Sequence, residues 1–358
     1  MVSFRSPSRG VITANNTNAR ECIIDPTVSD GARLDAARQL TPAAFGAILP
    51  PGHARCAPNT LCRSLKVGND WHTWTALACD IGRRRRNNED YALACEPEAP
   101  SLRDDKGHLY IVADGVGGGA GGEIASRFAA LAVAFHYYGA PVSPPRSLHL
   151  AVARANDSLY RYAHTHSRFA TMGTTIVCAA VHGAHLYVAH VGDSRAYLLR
   201  EGVLRPLTED HNLAAHLARE GIITREQARH HPQRHLLLRS LGGESTVLPD
   251  LAEAQLQPHD AVILCSDGLT LHVQEAEIGA ICSESPEPQE TVRALIALAN
   301  DRGGLDNIAV IVARWNPGPR AGPPAQGILT APPAHEPTVD AIMEALATPS
   351  PNRTPQSS

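Results

Sequence analysis

The sequence predicts an α+β layered domain over residues 71–315. Strand-like apolar runs pair across short turns, helical patterns come in consecutive pairs, and the strict strand–helix alternation of a parallel sheet is absent. Strands are expected at Trp74–Cys79, Tyr91–Cys95 and His108–Ala113, the last running into Asp114-Gly115. Helices follow at Gly121–Tyr138 and Arg146–His166. Thr174–Val181, Ala184–Val191 and Ala196–Arg200 are the next strands; His182-Gly183 turns the first pair and Glu201-Gly202 closes the third. A polar insertion holds short helices at Asn212–Glu220 and Arg225–Arg229. Ala261–Cys265 is a buried strand ending at Ser266-Asp267-Gly268, Glu287–Asp301 is a helix, and Ile308–Ala313 is the final strand.

The flanks read differently. Residues 1–70 lack sustained periodicity and are rich in small, polar and Pro residues, so they are expected as a partly disordered extension, with a short helix at most around Asp30–Gln39. Residues 316–358 carry ten prolines and read as a tail. Within it Val339, Ile342, Met343 and Leu346 fall at i, i+3, i+4 and i+7, one face of a short helix.

A hydrophobic fraction of 43% with only 4% aromatics predicts a packed, mainly aliphatic core. The net charge of -4 gives no bulk drive towards nucleic acid or anionic membrane. None of the eight cysteines forms a C-x-x-C pair, so a zinc-site signature is absent. Cys178 and Cys265 sit inside apolar runs as small buried hydrophobes, and the thiols are expected reduced in a cytoplasmic protein. The first residues carry no apolar signal-peptide core, and no run approaches 18 apolar residues, so no membrane span is expected.

The chemistry lies in acids beside apolar strands. Asp114 ends LYIVAD, Asp267 follows VILCS, Asp193 follows LYVAHVG, Asp306 precedes NIAVIVA, and Glu89-Asp90 precede YALA. Each Asp-Gly or Gly-Asp taken singly is an ordinary turn dipeptide. Gathered at one edge, however, the acids would repel one another unless cations relieved them. Oxygen ligands without His or Cys select hard ions, Mg²⁺ or Mn²⁺. Two such ions can activate water for in-line displacement at phosphorus. A basic block, Arg83 to Arg86, lies just before Glu89-Asp90. A guanidinium there could fork onto two phosphate oxygens; spacing alone does not choose which of the four does so.

The loop DGVGGGAGGE competes for a nucleotide reading, because Gly117, Gly119 and Gly122 satisfy G-x-G-x-x-G between a strand and a helix. That fingerprint needs an acid about 20 residues on, and no Asp or Glu lies between Glu123 and Asp157. No Gly-Lys-Ser/Thr follows either, so a P-loop fails as well. The glycines instead give backbone access around a metal site.

Taken in order, DIGRRRRNNEDYALA, LYIVADGVGGGAGGE, MGTTIVCAAV, LYVAHVGDSRAYLLR, VILCSDGLT and GGLDNIAVIVA resemble the metal-dependent serine/threonine phosphatases of type 2C in their bacterial form. The resemblance implies a four-layer αββα sandwich, two antiparallel sheets flanked by helix pairs, with a dinuclear site at one edge. It implies Arg85 as the phosphate-binding residue. Glu89, Asp114 and the Gly115 carbonyl would hold one metal; Asp114, Asp267 and Asp306 would hold the other, with Asp114 bridging. Asp193 with Asp267 is similar to the weaker third-metal site of bacterial members, and residues 209–238 look like the mobile flap. The implied reaction is direct attack of a metal-bridging water on phosphoserine or phosphothreonine in proteins phosphorylated by Ser/Thr kinases, by a monomeric enzyme that needs neither nucleic acid nor a membrane. Thr174 and Asn307 are structural support in the family motifs. Two departures concern the leaving-group acid: some members carry His where this chain has Val116, and many bacterial members carry it where this chain has Gly119. A metal-bound water would then supply the proton, or His211 from the flap, although with 18 histidines in the chain His211 reads first as a structural flap residue. The alternatives are a binding or regulatory module on the same fold, and a phosphatase of small-molecule phosphates.

Overall fold

In the computed structural model, which describes residues 61–67, 71–117, 120–317 and 328–347, the strands build two antiparallel sheets. Numbered in chain order, the first sheet runs β1 (Leu61–Val67), β2 (Trp71–Asp80), β12 (Ile308–Pro317), β11 (Ala261–Cys265), β8 (Arg195–Arg200) and β9 (Val203–Pro206). The second runs β10 (Asp250–Gln255), β7 (His185–Val191), β6 (Ile176–His182), β4 (His108–Val116) and β3 (Asp90–Cys95), with the short β5 (Gly173–Thr174) paired to the end of β4. Helices α2 (Ala120–Gly139) and α3 (Pro144–Thr165) cover the second sheet; α7 (Glu275–Glu284) and α8 (Pro288–Asp301) cover the first. The short α1 (Pro100–Lys106), α4 (Leu213–Arg219), α5 (Arg225–Arg229) and α6 (Asp267–Thr270) lie in connections.

The central strands read as unbroken apolar runs because both faces are buried. In β4, Tyr110 and Val112 enter the layer between the sheets, while Leu109, Ile111 and Ala113 join the core under α2 and α3. In β12, Ala309, Ile311 and Ala313 face the other sheet, and Ile308, Val310 and Val312 pack under α8. Successive side chains point to opposite faces, so one strand feeds two cores. Three apolar layers stacked in this way are the αββα sandwich.

Several elements lie outside the sequence expectation. β4 continues through Asp114 and Gly115 to Val116, because Gly115 and Val116 pair with Thr174 and Gly173 of β5. β10 reads Asp-Leu-Ala-Glu-Ala-Gln, with no clean apolar alternation, and becomes a strand by pairing along β7. β1 pairs in register with β2 ahead of residue 71. On the C-terminal side, Leu329 bridges Cys95 in parallel, donating to the Ala94 carbonyl at 3.0 Å and accepting from Glu96 N–H at 2.8 Å. The helix expected in the tail is α9 (Val339–Ala347), whose Val339 and Ile342 are buried in the α2/α3 core. Polar contacts hold this segment: Tyr162 donates to Asp340 Oδ1 at 2.9 Å, and His136 meets Glu336 at 3.0 Å. The helix expected around Asp30–Gln39 lies outside the described residues.

Candidate active site

The site is built where the layer between the sheets opens at one end. Asp90 starts β3 and stands in register opposite Asp114 on β4. Both share the strand parity of the side chains that fill that layer, Ala92 and Ala94 on β3 and Tyr110 and Val112 on β4. The two carboxylates therefore cap the apolar layer at its mouth. The end of β4 is fixed by two threonines. Thr174 Oγ1 and the Thr175 N–H donate to the Asp114 carbonyl at 2.9 and 2.8 Å, and Asp114 N–H donates to Thr175 Oγ1 at 3.1 Å.

The first sheet contributes from the other side. Asp267 does not simply follow β11; it opens α6, with Ser266 in the cap position. Ser266 Oγ donates to Asp90 Oδ2 at 2.6 Å and accepts from Ala309 N–H at 2.9 Å, tying the two sheets together beneath the acids. Asp306 lies two residues ahead of β12 and accepts from Arg85 Nη2 at 2.7 Å. Asn307 Oδ1 takes the Glu89 N–H at 2.8 Å, while its Nδ2 donates to the carbonyls of Ile81 and Asn87, both at 2.9 Å. This one amide holds the arginine loop against the Asp306 corner. The Glu89 carbonyl accepts from Gly115 N–H at 3.1 Å, and the Glu89 carboxylate lies against Gly122, where any Cβ would collide with it.

Asp193 joins from the β7–β8 turn. Gly192, at φ +106°, brings the turn so close that a Cβ would lie 2.6 Å from the Thr175 side chain, and Asn212 Nδ2 reaches Asp193 Oδ2 at 3.4 Å. Arg85, Glu89, Asp114, Gly115, Asp193, Asp267 and Asp306 are thus brought to one place. Asp90 belongs there too. Its signal in the sequence was its position beside Glu89 at the start of an apolar strand.

The crowding has an electrostatic consequence. Burial, reinforced by the neighbouring acids, pushes Asp90 up to about 8 and Asp267 up to about 6. Burial and the charges of Asp90, Asp267, Asp193 and Asp306 hold Asp114 well above the usual carboxylate range; burial and Asp267 do the same for Asp193. Carboxyls driven towards neutrality, supplied by oxygen donors alone, are what a pair of hard divalent cations would relieve, so the residues fit such ions.

A second grouping of ligand-type side chains, His190, His211 and Asp250, brings its atoms within 4.8 Å of one another. The cation there is already protein: Arg239 Nη1 lies 2.8 Å from Asp250 Oδ1 and 2.9 Å from His211 Nε2. His211 is stacked on His190 and accepts from Gly192 N–H at 3.1 Å. Burial, with His190 and Arg239 adding to it, pulls its pKa down to about 4. A histidine that stays neutral above that pH is a strut between flap and β7, not a proton donor.

The protein phosphatase 2C family model matches residues 84–299. The chain belongs to the protein phosphatase 2C family. The serine/threonine phosphatase Stp of Listeria innocua is 38% identical over 242 residues, 66% of this chain and 94% of the relative. The structure of the PPM Ser-Thr phosphatase MsPP from Mycobacterium smegmatis, in complex with cacodylate, aligns with a TM-score of 0.58 at 37% identity, covering 68% of this chain and 98% of that one. The catalytic domain of the serine threonine protein phosphatase PstP, solved with 2 manganese ions, aligns with a TM-score of 0.59 at 32% identity over 72% of this chain and 100% of its own. The 2C-family match takes in the acids and Arg85 named above except Asp306, which with Asn307 lies beyond its end and which the fold returns to Arg85.

Proposed function

We propose that this chain is a metal-dependent protein serine/threonine phosphatase whose catalytic domain occupies residues 61–317, with residues 328–347 packed on it. The observation that carries the reading is the gathering of acids from both sheets around Asp114, with an arginine held at their rim by Asp306. Glu89, Asp114 and the Gly115 carbonyl would hold one Mn²⁺ or Mg²⁺; Asp114, Asp267 and Asp306 a second; Asp193 and Asp267 a weaker third. When bound, such ions supply positive charge for a nucleophilic water and for the phosphoryl oxygens. Arg85, half-exposed and aimed by Asp306, grips and orients the substrate phosphate. Asp90 and Ser266 hold the two sheets at the spacing the acids need. Cys265, close in sequence to Asp267, is buried with its thiol pushed up to about 12, so it does not act as a nucleophile.

The substrates are phosphoserine and phosphothreonine proteins, and the partner is a Ser/Thr kinase whose products the enzyme reverses. A monomer working in the cytoplasm fits the free, buried cysteines and the lack, among the described residues, of any helix long and apolar enough to cross a membrane. The test is phosphate release from a phosphothreonine peptide with Mn²⁺, repeated after chelation and after metal is restored. Release that chelator removes and Mn²⁺ returns is expected; release indifferent to chelator would overturn the assignment.

A further inference from the structure

The arginine block carries more charge than phosphate binding uses. Arg83, Arg84, Arg85 and Arg86 are all exposed, and among the described residues Arg85 is the member of the block paired with a carboxylate. Four adjacent guanidiniums repel one another, and nothing in the packing calls for them. The loop that bears them is nevertheless rigidly held. Arg83 N–H donates to the Gly304 carbonyl at 2.7 Å, Gly82 N–H to Asp80 Oδ1 at 2.8 Å, and Asn307 clasps Ile81, Asn87 and Glu89. The unneutralised charge is therefore presented from a fixed platform at the Asp306 corner.

The flap brings charge to the same corner. Residues 213–238 carry four arginines against two glutamates, and one of the latter, Glu226, faces His230 at 3.4 Å. Arg229 is drawn off to Glu275 at 3.7 Å. Among the described residues Arg234 is not: its charge and that of the Asp306 carboxylate both reach the His272 imidazole, whose Nε2 accepts the Leu305 N–H at 3.0 Å. Arginines from the loop and from the flap thus flank the place where the phosphate is gripped. Metal ions would largely offset the central acids, leaving this rim as the dominant outer field.

We infer that the rim selects anionic phosphoprotein segments, in which the phosphoserine or phosphothreonine is flanked by Asp, Glu or a second phosphate, with Arg84, Arg86 and Arg234 as the specificity-determining residues. The inference rests on the phosphatase reading and names its substrate class. A nucleic acid would meet the same guanidiniums, but its continuous line of phosphates would also have to pass the central acids, and the whole chain is at -4. A peptide with one phosphate over the acids and carboxylates over the rim avoids that conflict.

The test uses the full chain with Mn²⁺, p-nitrophenyl phosphate, and phosphothreonine peptides of one length flanked by Asp/Glu, by a second phosphothreonine, by Ala/Ser or by Lys. Exposed ion pairs contribute roughly twofold each. The acidic and doubly phosphorylated peptides should therefore exceed the neutral one in kcat/KM by about fivefold at low salt, mainly through KM, and the excess should shrink at high salt. The triple variant Arg84→Gln, Arg86→Gln, Arg234→Gln should erase that preference while hydrolysing p-nitrophenyl phosphate at the parental rate. Equal use of acidic, neutral and basic peptides by an enzyme active on p-nitrophenyl phosphate overturns the inference and leaves the phosphatase intact. So does potent inhibition by duplex DNA without any peptide preference. Failure on every substrate, p-nitrophenyl phosphate included, overturns the phosphatase reading itself.

Discussion

Replacing one central acid by its amide should make the metal-free protein more stable, and only above mildly acidic pH. Asp267 rises from 3.8 to about 6 on folding, first through burial and then through Asp306. The folded state therefore favours the protonated carboxyl. Below about pH 3 the group is neutral folded or unfolded and costs nothing. Between about 4 and 6 the unfolded chain ionises first, and the stability that the protonated group maintained is lost. Above 6 the loss levels off at ~3 kcal/mol. Asp267→Asn removes that charge and retains the shape. At pH 7.5 in chelator the variant should melt above the parent by roughly 6–12 °C, taking about 2–4 °C per kcal/mol for a domain of this size. Near pH 4.5 the gap should shrink to about a third, roughly 1 kcal/mol. Saturating Mn²⁺ should largely cancel the gap, since ligand at a hundredfold over Kd stabilises by about 2.7 kcal/mol and the amide is the poorer ligand. Thermal melts by circular dichroism, with and without Mn²⁺ at the two pH values, read all of this. A variant less stable than the parent in chelator at pH 7.5, or a difference that does not change with pH, would refute the view that these acids repel for want of cations.

Other perturbations address single contacts. Gly122→Ala drives a methyl into the Glu89 carboxylate and should weaken Mn²⁺ activation severalfold while the protein stays folded, measured as activity against metal concentration. Arg85→Lys keeps the charge but loses the fork, so phosphopeptide kcat/KM should fall by roughly tenfold or more. Ile342→Ala opens the α9 contact with the α2/α3 core and should cost about 2–4 kcal/mol in chemical denaturation, with phosphatase activity at 25 °C unaltered. Unchanged unfolding would mean that α9 does not contribute to the stability of the domain.

The residues alone made a layered α+β domain and most of the candidate site legible, and the family resemblance supplied the sandwich. Strands buried on both faces must be apolar throughout, so runs such as VILC and IAVIVA stood out, and a carboxylate abutting such a run is conspicuous because burying it is costly. Those local signals pointed to Asp114, Asp267, Asp306 and Glu89 as candidates, and the resemblance chose Arg85 from four equivalent arginines. What they could not determine was pairing. Only the register of β3 against β4 puts Asp90 opposite Asp114, and only the return of β12 brings Asn307 under the arginine loop. β10 and β1 are strands because a neighbour supplies their hydrogen bonds, and α9 is held by a core it meets some 200 residues from α2 and α3 in the chain. How His211 serves as a strut was likewise decided by Gly192, His190 and Arg239 closing around it. Residue type and spacing encode what a segment can bury; which partner buries it is a property of the assembled layers.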